Sequence, residues 1–131
     1  MQLLDGRALS SKIRSKVKDE VSKLQAEKNI TPGLAVVLVG ADPASAAYVN
    51  MKSKACKEAG IYSIAHEMPE TISQENILDI ITMMNNNPNI DGILVQSPLP
   101  LHIDEEKIIA AIDPKKDVDG FTPHNIGLLT I

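Results

Sequence analysis

Apolar residues recur along this chain at two alternating periods. Leu9, Ile13, Val17, Val21 and Leu24 are separated by steps of four, four, four and three, the spacing of one face of a helix about five to six turns long. Asp5 stands where a side chain can cap its first turn. Lys12, Arg14, Lys16, Lys18, Asp19, Glu20 and Lys23 cover the remaining surface, and a charge run of this kind reads as a solvated face. Thr31-Pro32-Gly33 breaks the chain. Leu34 to Val39 is then apolar without interruption, the mark of a central parallel strand buried on both faces.

The alternation continues. Asp42 to Gly60 reads as a second helix, with Asp42 as cap, Pro43 at the first helical position and Gly60 as a left-handed stop. Ile61 to Glu67 has the length of a strand nearer a sheet edge. Ser73 caps a third helix with Ile77, Ile80, Ile81 and Met84 at core spacing, ended by Asn85-Asn86-Asn87-Pro88. Asp91 to Gln96 is a third strand, stopped by Pro98 and Pro100, neither of which can donate to a ladder. Asp104, Glu105 and Glu106 open a fourth helix that buries Ile108, Ile109 and Ile112, with Pro114 just beyond it. Lys116 to Asp119 is read as a short fourth strand. The order predicts an α/β fold, a three-layer open and mainly parallel sheet with helices on both faces.

In such sheets ligands bind beyond the carboxyl ends of the strands. That rule selects Gly40 with the start of the second helix, Gln96-Ser97-Pro98-Leu99-Pro100, and Asp117-Val118-Asp119-Gly120. The second helix adds an anomaly. At ~100° per residue, Ser45, Tyr48, Val49, Lys52, Ala55, Cys56 and Ala59 fall within an arc of roughly 120°, opposite Asn50, Lys54 and Lys57. Lys52 is therefore a lysine on the inward face, one turn after Tyr48. An ammonium in low-dielectric surroundings is destabilised relative to the amine and can exchange protons near neutrality; the alternative is a stem lying along Tyr48 with its head in water. Lys52, Gln96 and Asp119 are expected to share one crevice.

Composition narrows the chemistry. The 131 residues make one domain, large enough for a core. That core is aliphatic, because Tyr48, Tyr62 and Phe121 are the whole aromatic set. A net charge of −4 with so few aromatics argues against a nucleic-acid surface. No apolar run is long enough to span a bilayer, and the opening residues lack a signal-peptide pattern. The single cysteine, Cys56, suits a reducing cytoplasm and, on the inward arc of an alanine-rich helix, reads as a small hydrophobe and not a nucleophile. His66, His102 and His124 lack metal-ligand spacing, so no metal is expected. Val39-Gly40-Ala41-Asp42-Pro43 has one glycine where a dinucleotide fingerprint needs three, which points to an organic substrate and away from a nucleotide.

Several runs together resemble the bifunctional methylenetetrahydrofolate dehydrogenase/cyclohydrolase family of one-carbon metabolism. They are Leu4-Asp5-Gly6, Val39-Gly40 with Pro43-Ala44-Ser45, Tyr48 to Cys56, Asp91 to Gln96, Pro98-Leu99-Pro100 and Lys116 to Phe121. The resemblance covers the whole chain in register. It implies oxidation of 5,10-methylenetetrahydrofolate with NADP, followed by hydrolysis of the methenyl form to 10-formyltetrahydrofolate. By the same resemblance, Lys52 matches the catalytic lysine that assists proton movement in the hydrolysis. Tyr48 matches the catalytic tyrosine that packs against the folate and orients that lysine, and Gln96 the glutamine that hydrogen-bonds and tunes it. Asp119 matches the carboxylate holding the pterin, and Pro98, Leu99 and Pro100 belong to the substrate-binding wall.

Two positions depart from the family pattern: Ser97 replaces a usual leucine, and Thr122 replaces a common histidine after Asp119-Gly120-Phe121. Ser97 is expected to affect folate affinity more than chemistry, and Thr122 to be peripheral. The family continues into an NADP-binding Rossmann-type domain and is homodimeric at full length. Residues 1–131 are accordingly expected to be the folate-binding catalytic half, weak or inactive alone. A non-catalytic folate-binding domain and an amino-acid dehydrogenase substrate domain remain as alternatives that fold alone does not separate.

Overall fold

A computed structural model describes residues 5–130, so Leu4 of the first family run lies outside the described residues. The central element is β1, Gly33–Val39, whose residues other than Leu34 are buried. It pairs in parallel with β2, Tyr62–Met68, on one side and β3, Gly92–Val95, on the other, giving the order β2-β1-β3. Because side chains alternate across a strand, Ala35, Val37 and Val39 enter one core with Ile77, Ile81, Met84, Ile108 and Ile112. Val36 and Leu38 enter a second with Val49 and Leu94. The helices α3, Gln74–Asn85, and α4, Glu105–Ala110, thus cover one face, and α2, Pro43–Ala59, covers the other. The three-layer arrangement expected from the pattern is present.

Caps form where short polar residues precede apolar periods. The Asp5 carboxylate accepts from the N–H groups of Arg7 and Ala8 at 3.0 Å each, opening α1, Gly6–Lys28. Asp42 accepts from Ser45 N–H at 2.7 Å, Ser73 from Asn76 N–H and Asp104 from Lys107 N–H. Gly60 ends α2 at φ 80°, in the left-handed region where a Cβ is disfavoured.

Three expectations need correction. On α1 only Val21 is buried; Leu9 is 59% and Ile13 53% exposed. The helix meets the rest of the fold through its C-terminal half, where Gln25 Nε2 donates to Gly60 O at 3.1 Å, so the first turns of the stripe project past the elements they would pack on. The fourth strand reduces to one parallel bridge, Ile93 to Asp117, because the chain turns back on the Asp117 side chain immediately afterwards. Finally, Thr122 is not peripheral. It is 1% exposed and caps an additional short helix, α5, Pro123–Leu128. The Thr122-Pro123 pair is a cap followed by a first-turn proline, a legible signal for that helix.

Candidate active site

The parallel order brings the end of β1, the start of α2 and the end of β3 to one edge. Lys52 lies half-buried on the face of α2 that carries buried Ser45, Val49, Cys56 and Ala59, whereas Asn50, Lys54 and Lys57 are exposed. Its Nζ donates to Gln96 Oε1 at 3.0 Å. Gln96 directly follows β3, and its N–H donates to Val37 O at 2.9 Å, which ties its backbone to the central strand. Its Nε2 donates to Ser97 O at 2.8 Å. With the amino group so engaged, the carbonyl oxygen is the part left facing the ammonium. The inward lysine therefore has a side-chain partner instead of reaching only for water.

Tyr48 departs from the arc that pattern assigned to it, being 54% exposed. One turn before Lys52 and nearer the carboxyl edge of the sheet, it presents an open ring suited to stacking on a flat ligand. Leu99 also differs from a simple lining residue, since it packs into the core with Val39 and Met68. Pro98 is exposed and Pro100 half-buried. Together Pro98, Leu99 and Pro100 border a cleft of about 410 Å3 whose other wall is Gly40, Ala41, Asp42 and Glu70. This cleft adjoins the strand end that carries Gln96, while Lys52 and Gln96 themselves stand outside its lining.

Asp119 completes the charged group. Much of its surface is exposed, yet packing around it strips enough water to push its carboxyl pKa up; the positive charge of Lys52 works against that rise and the negative charge of Asp117 adds to it. Asp117 behaves oppositely. Burial disfavours its ionisation, but hydrogen bonds from Thr122, Asn125 and Phe121 overcome that and hold it at about 2. The strand-end rule selects Asp117 together with Asp119 but gives it no separate role, and nothing in the pattern marks Asn125, although an aspartate three residues before a glycine is a known way of folding a turn onto a carboxylate. Ser97 Oγ donates to Glu105 Oε1 at 2.5 Å, joining the loop after Gln96 to the first turn of α4.

Other features carry no comparable chemistry. Cys56 is 8% exposed, and burial pushes its thiol up while the Ser63 hydroxyl works in the opposite direction, as for a core thiol. A groove of about 450 Å3 bordered by Tyr62, Ile64, His66, Met83 and Ile90 contains no lysine or carboxylate and reaches Thr31 and Asn89, at the amino ends of the strands. Among the described residues no helix is long and apolar enough to cross a membrane. A dinucleotide does not fit the residues present. The N-terminus of α2, where a pyrophosphate would bind in such a fold, is filled by the Asp42 carboxylate on Ser45 N–H.

Fold and site define an open parallel α/β domain with a lysine–glutamine pair and a carboxylate at the carboxyl edge of its sheet. The chain belongs to the family described as tetrahydrofolate dehydrogenase/cyclohydrolase, catalytic domain, which matches residues 4–119. It is 64% identical over 130 residues to the bifunctional protein FolD of Wolinella succinogenes, a match covering 99% of this chain and 46% of that protein. The bifunctional FolD methylenetetrahydrofolate dehydrogenase/cyclohydrolase of Campylobacter jejuni superposes with a TM-score of 0.96 at 47% identity, covering 98% of this chain and 45% of that one. The Trypanosoma brucei enzyme, solved with NADP cofactor and inhibitor, gives 0.95 at 34% identity over 99% and 44%. The chain thus spans about half the length of the relatives it matches.

Proposed function

We propose that this chain is the folate-binding catalytic half of a methylenetetrahydrofolate dehydrogenase/cyclohydrolase. The observation that carries the reading is the 3.0 Å hydrogen bond from Lys52 Nζ to Gln96 Oε1 at the ligand-binding edge of the sheet, with Asp119 close enough to feel the lysine's charge. The substrate is a reduced folate whose pterin ring is held by Asp119 and flanked by the open ring of Tyr48, with Pro98, Leu99 and Pro100 shaping the neighbouring wall.

Hydrolysis of the methenyl form needs water to add to the bridging carbon and lose a proton, after which the bond from that carbon to N5 breaks and N10 keeps the formyl group. N5 must gain a proton as it leaves. Lys52 is the group placed to move that proton, and Gln96 keeps its Nζ aimed instead of free to rotate into solvent. The oxidation that makes the methenyl form uses NADP, whose site we place in the length of the relatives outside residues 1–131. Tetrahydrofolate derivatives are accordingly the partners of this half.

The test compares methenyltetrahydrofolate hydrolysis by the wild-type chain and Lys52→Met, each also joined to the remainder of a longer relative. A fall of roughly 100-fold or more in Lys52→Met, the scale of a lost acid/base group, is expected. Undiminished hydrolysis in the variant would remove Lys52 from the mechanism.

A further inference from the structure

Asp119 sits in a two-residue span between fixed points, and Asp117 supplies both of them. Its backbone is held to the sheet, since Asp117 bridges Ile93 and Ile93 N–H donates to Lys116 O at 2.7 Å. Its carboxylate then gathers the chain that follows. Oδ1 accepts from the N–H groups of Gly120 at 2.9 Å and Phe121 at 3.3 Å, and Oδ2 accepts from Thr122 N–H at 2.8 Å and Asn125 Nδ2 at 2.9 Å. Gly120 makes the turn at φ 71°, in the left-handed region. Only Val118 and Asp119 lie between the bridge and the gathered N–H groups.

Val118 is fixed as well. A Cβ at Gly92 would lie 2.5 Å from Val118 Cγ1, so Val118 occupies space that the missing Gly92 side chain leaves on β3. With both flanks of Asp119 anchored, the backbone presents its carboxylate to the crevice where the charge of Lys52 reaches it.

We propose that Asp117 is a positioning residue for ligand recognition: its carboxylate closes the loop that presents Asp119, so that the reduced folate senses Asp117 only through Asp119. The inference rests on the reading of Asp119 as the pterin-holding carboxylate. Charge-assisted hydrogen bonds of this kind are the stronger class. An aspartate held at about 2 is an acceptor at both oxygens at neutral pH. Asparagine would turn an NH2 group against donors that now have an acceptor. Loss of a carboxylate that only stabilised the fold would lower stability equally with or without Asp119, and would not couple to it in binding.

The experiment is a double-mutant cycle read by calorimetry with 5-formyltetrahydrofolate as probe, on wild type, Asp117→Asn, Asp119→Asn and the double variant. Asp117→Asn is expected to weaken binding about 10-fold, the scale of lost charged hydrogen bonds. In the Asp119→Asn background the same change is expected to alter binding by less than about 2-fold. Multiplying losses, or an unaffected Asp117→Asn, would overturn the positioning role while leaving the site reading intact. Failure of wild type to bind, or an Asp119→Asn variant that binds like wild type, would remove the site reading and this inference with it. Should Asp117→Asn not fold, Asn125→Ala withdraws a single donor from Oδ2; a loss that disappears in the Asp119→Asn background supports the role, and a loss that persists there overturns it.

Discussion

Lys52 Nζ donates to Gln96 Oε1 at 3.0 Å, and so joins the middle of α2 to the residue that ends β3. The two are 44 positions apart in the chain. Neither is useful alone: the lysine needs an aimed acceptor, and the glutamine amide is oriented by donating its own N–H to Ser97 O.

Gln96→Leu removes that acceptor while keeping a side chain of similar bulk. Methenyltetrahydrofolate hydrolysis is expected to fall about 10-fold or more, the scale of one lost hydrogen bond to a charged group. Steady-state kinetics would show the loss mainly in kcat, because the aim of Lys52 matters most where a proton moves. Equal rates for wild type and variant would show that the pair is structural.

Asp119 should be a site where binding opposes stability. Its carboxyl pKa is raised in the folded protein, so protonation favours folding: the contribution is complete below the unfolded pKa and disappears as pH rises through the folded one. At neutral pH the ionised group is therefore a burden on the fold. Asp119→Asn is expected to raise the Tm at pH 7, with the gain shrinking as pH falls towards the unfolded carboxylate value of about 4, while weakening folate-analogue binding. A lower Tm for the variant at neutrality would contradict the assignment.

Asp117 has the opposite sign. With its folded pKa near 2, it stabilises the protein fully above the unfolded value and loses that contribution as pH falls from about 4 towards 2. Circular dichroism followed through acid titration should show Asp117→Asn with less additional loss across that window than wild type, although it starts less stable. Parallel acid-denaturation curves would refute this.

Ile81 lies fully buried in the core shared by β1, α3 and α4. Ile81→Ala is expected to cost about 2–5 kcal/mol, from lost transfer energy plus the cavity left behind. Urea unfolding at constant m would measure it; a cost under about 1 kcal/mol would mean that α3 collapses onto the gap.

Much of this protein is written in local pattern. The caps Asp5, Asp42, Ser73 and Asp104, the all-apolar β1 and the Gly60 stop each act through neighbours a few residues away, so periodicity and side-chain chemistry predict them. The inward placement of Lys52 was also legible, because helix geometry puts it on one face with Val49 and Cys56. Other features depended on where elements meet. The stripe of Leu9 and Ile13 is helical as its spacing demands, yet exposed, since periodicity identifies a face and not the partner that covers it. Lys116 to Asp119 has the composition of a strand, but the carboxylate of Asp117 competes for the following N–H groups and ends pairing after one bridge. Thr122 is buried because the same turn brings its N–H onto Asp117 and its hydroxyl onto Asn125 N–H at the start of α5. Sequence by itself determined the first four helices, the three paired strands, their order and the residue types able to do the chemistry. Tertiary structure alone decided that Lys52 meets Gln96, that Tyr48 stands at the rim, and that Asp117 holds the loop bearing Asp119, because hydrogen bonds and charges depend on distances through space that spacing along a chain does not set.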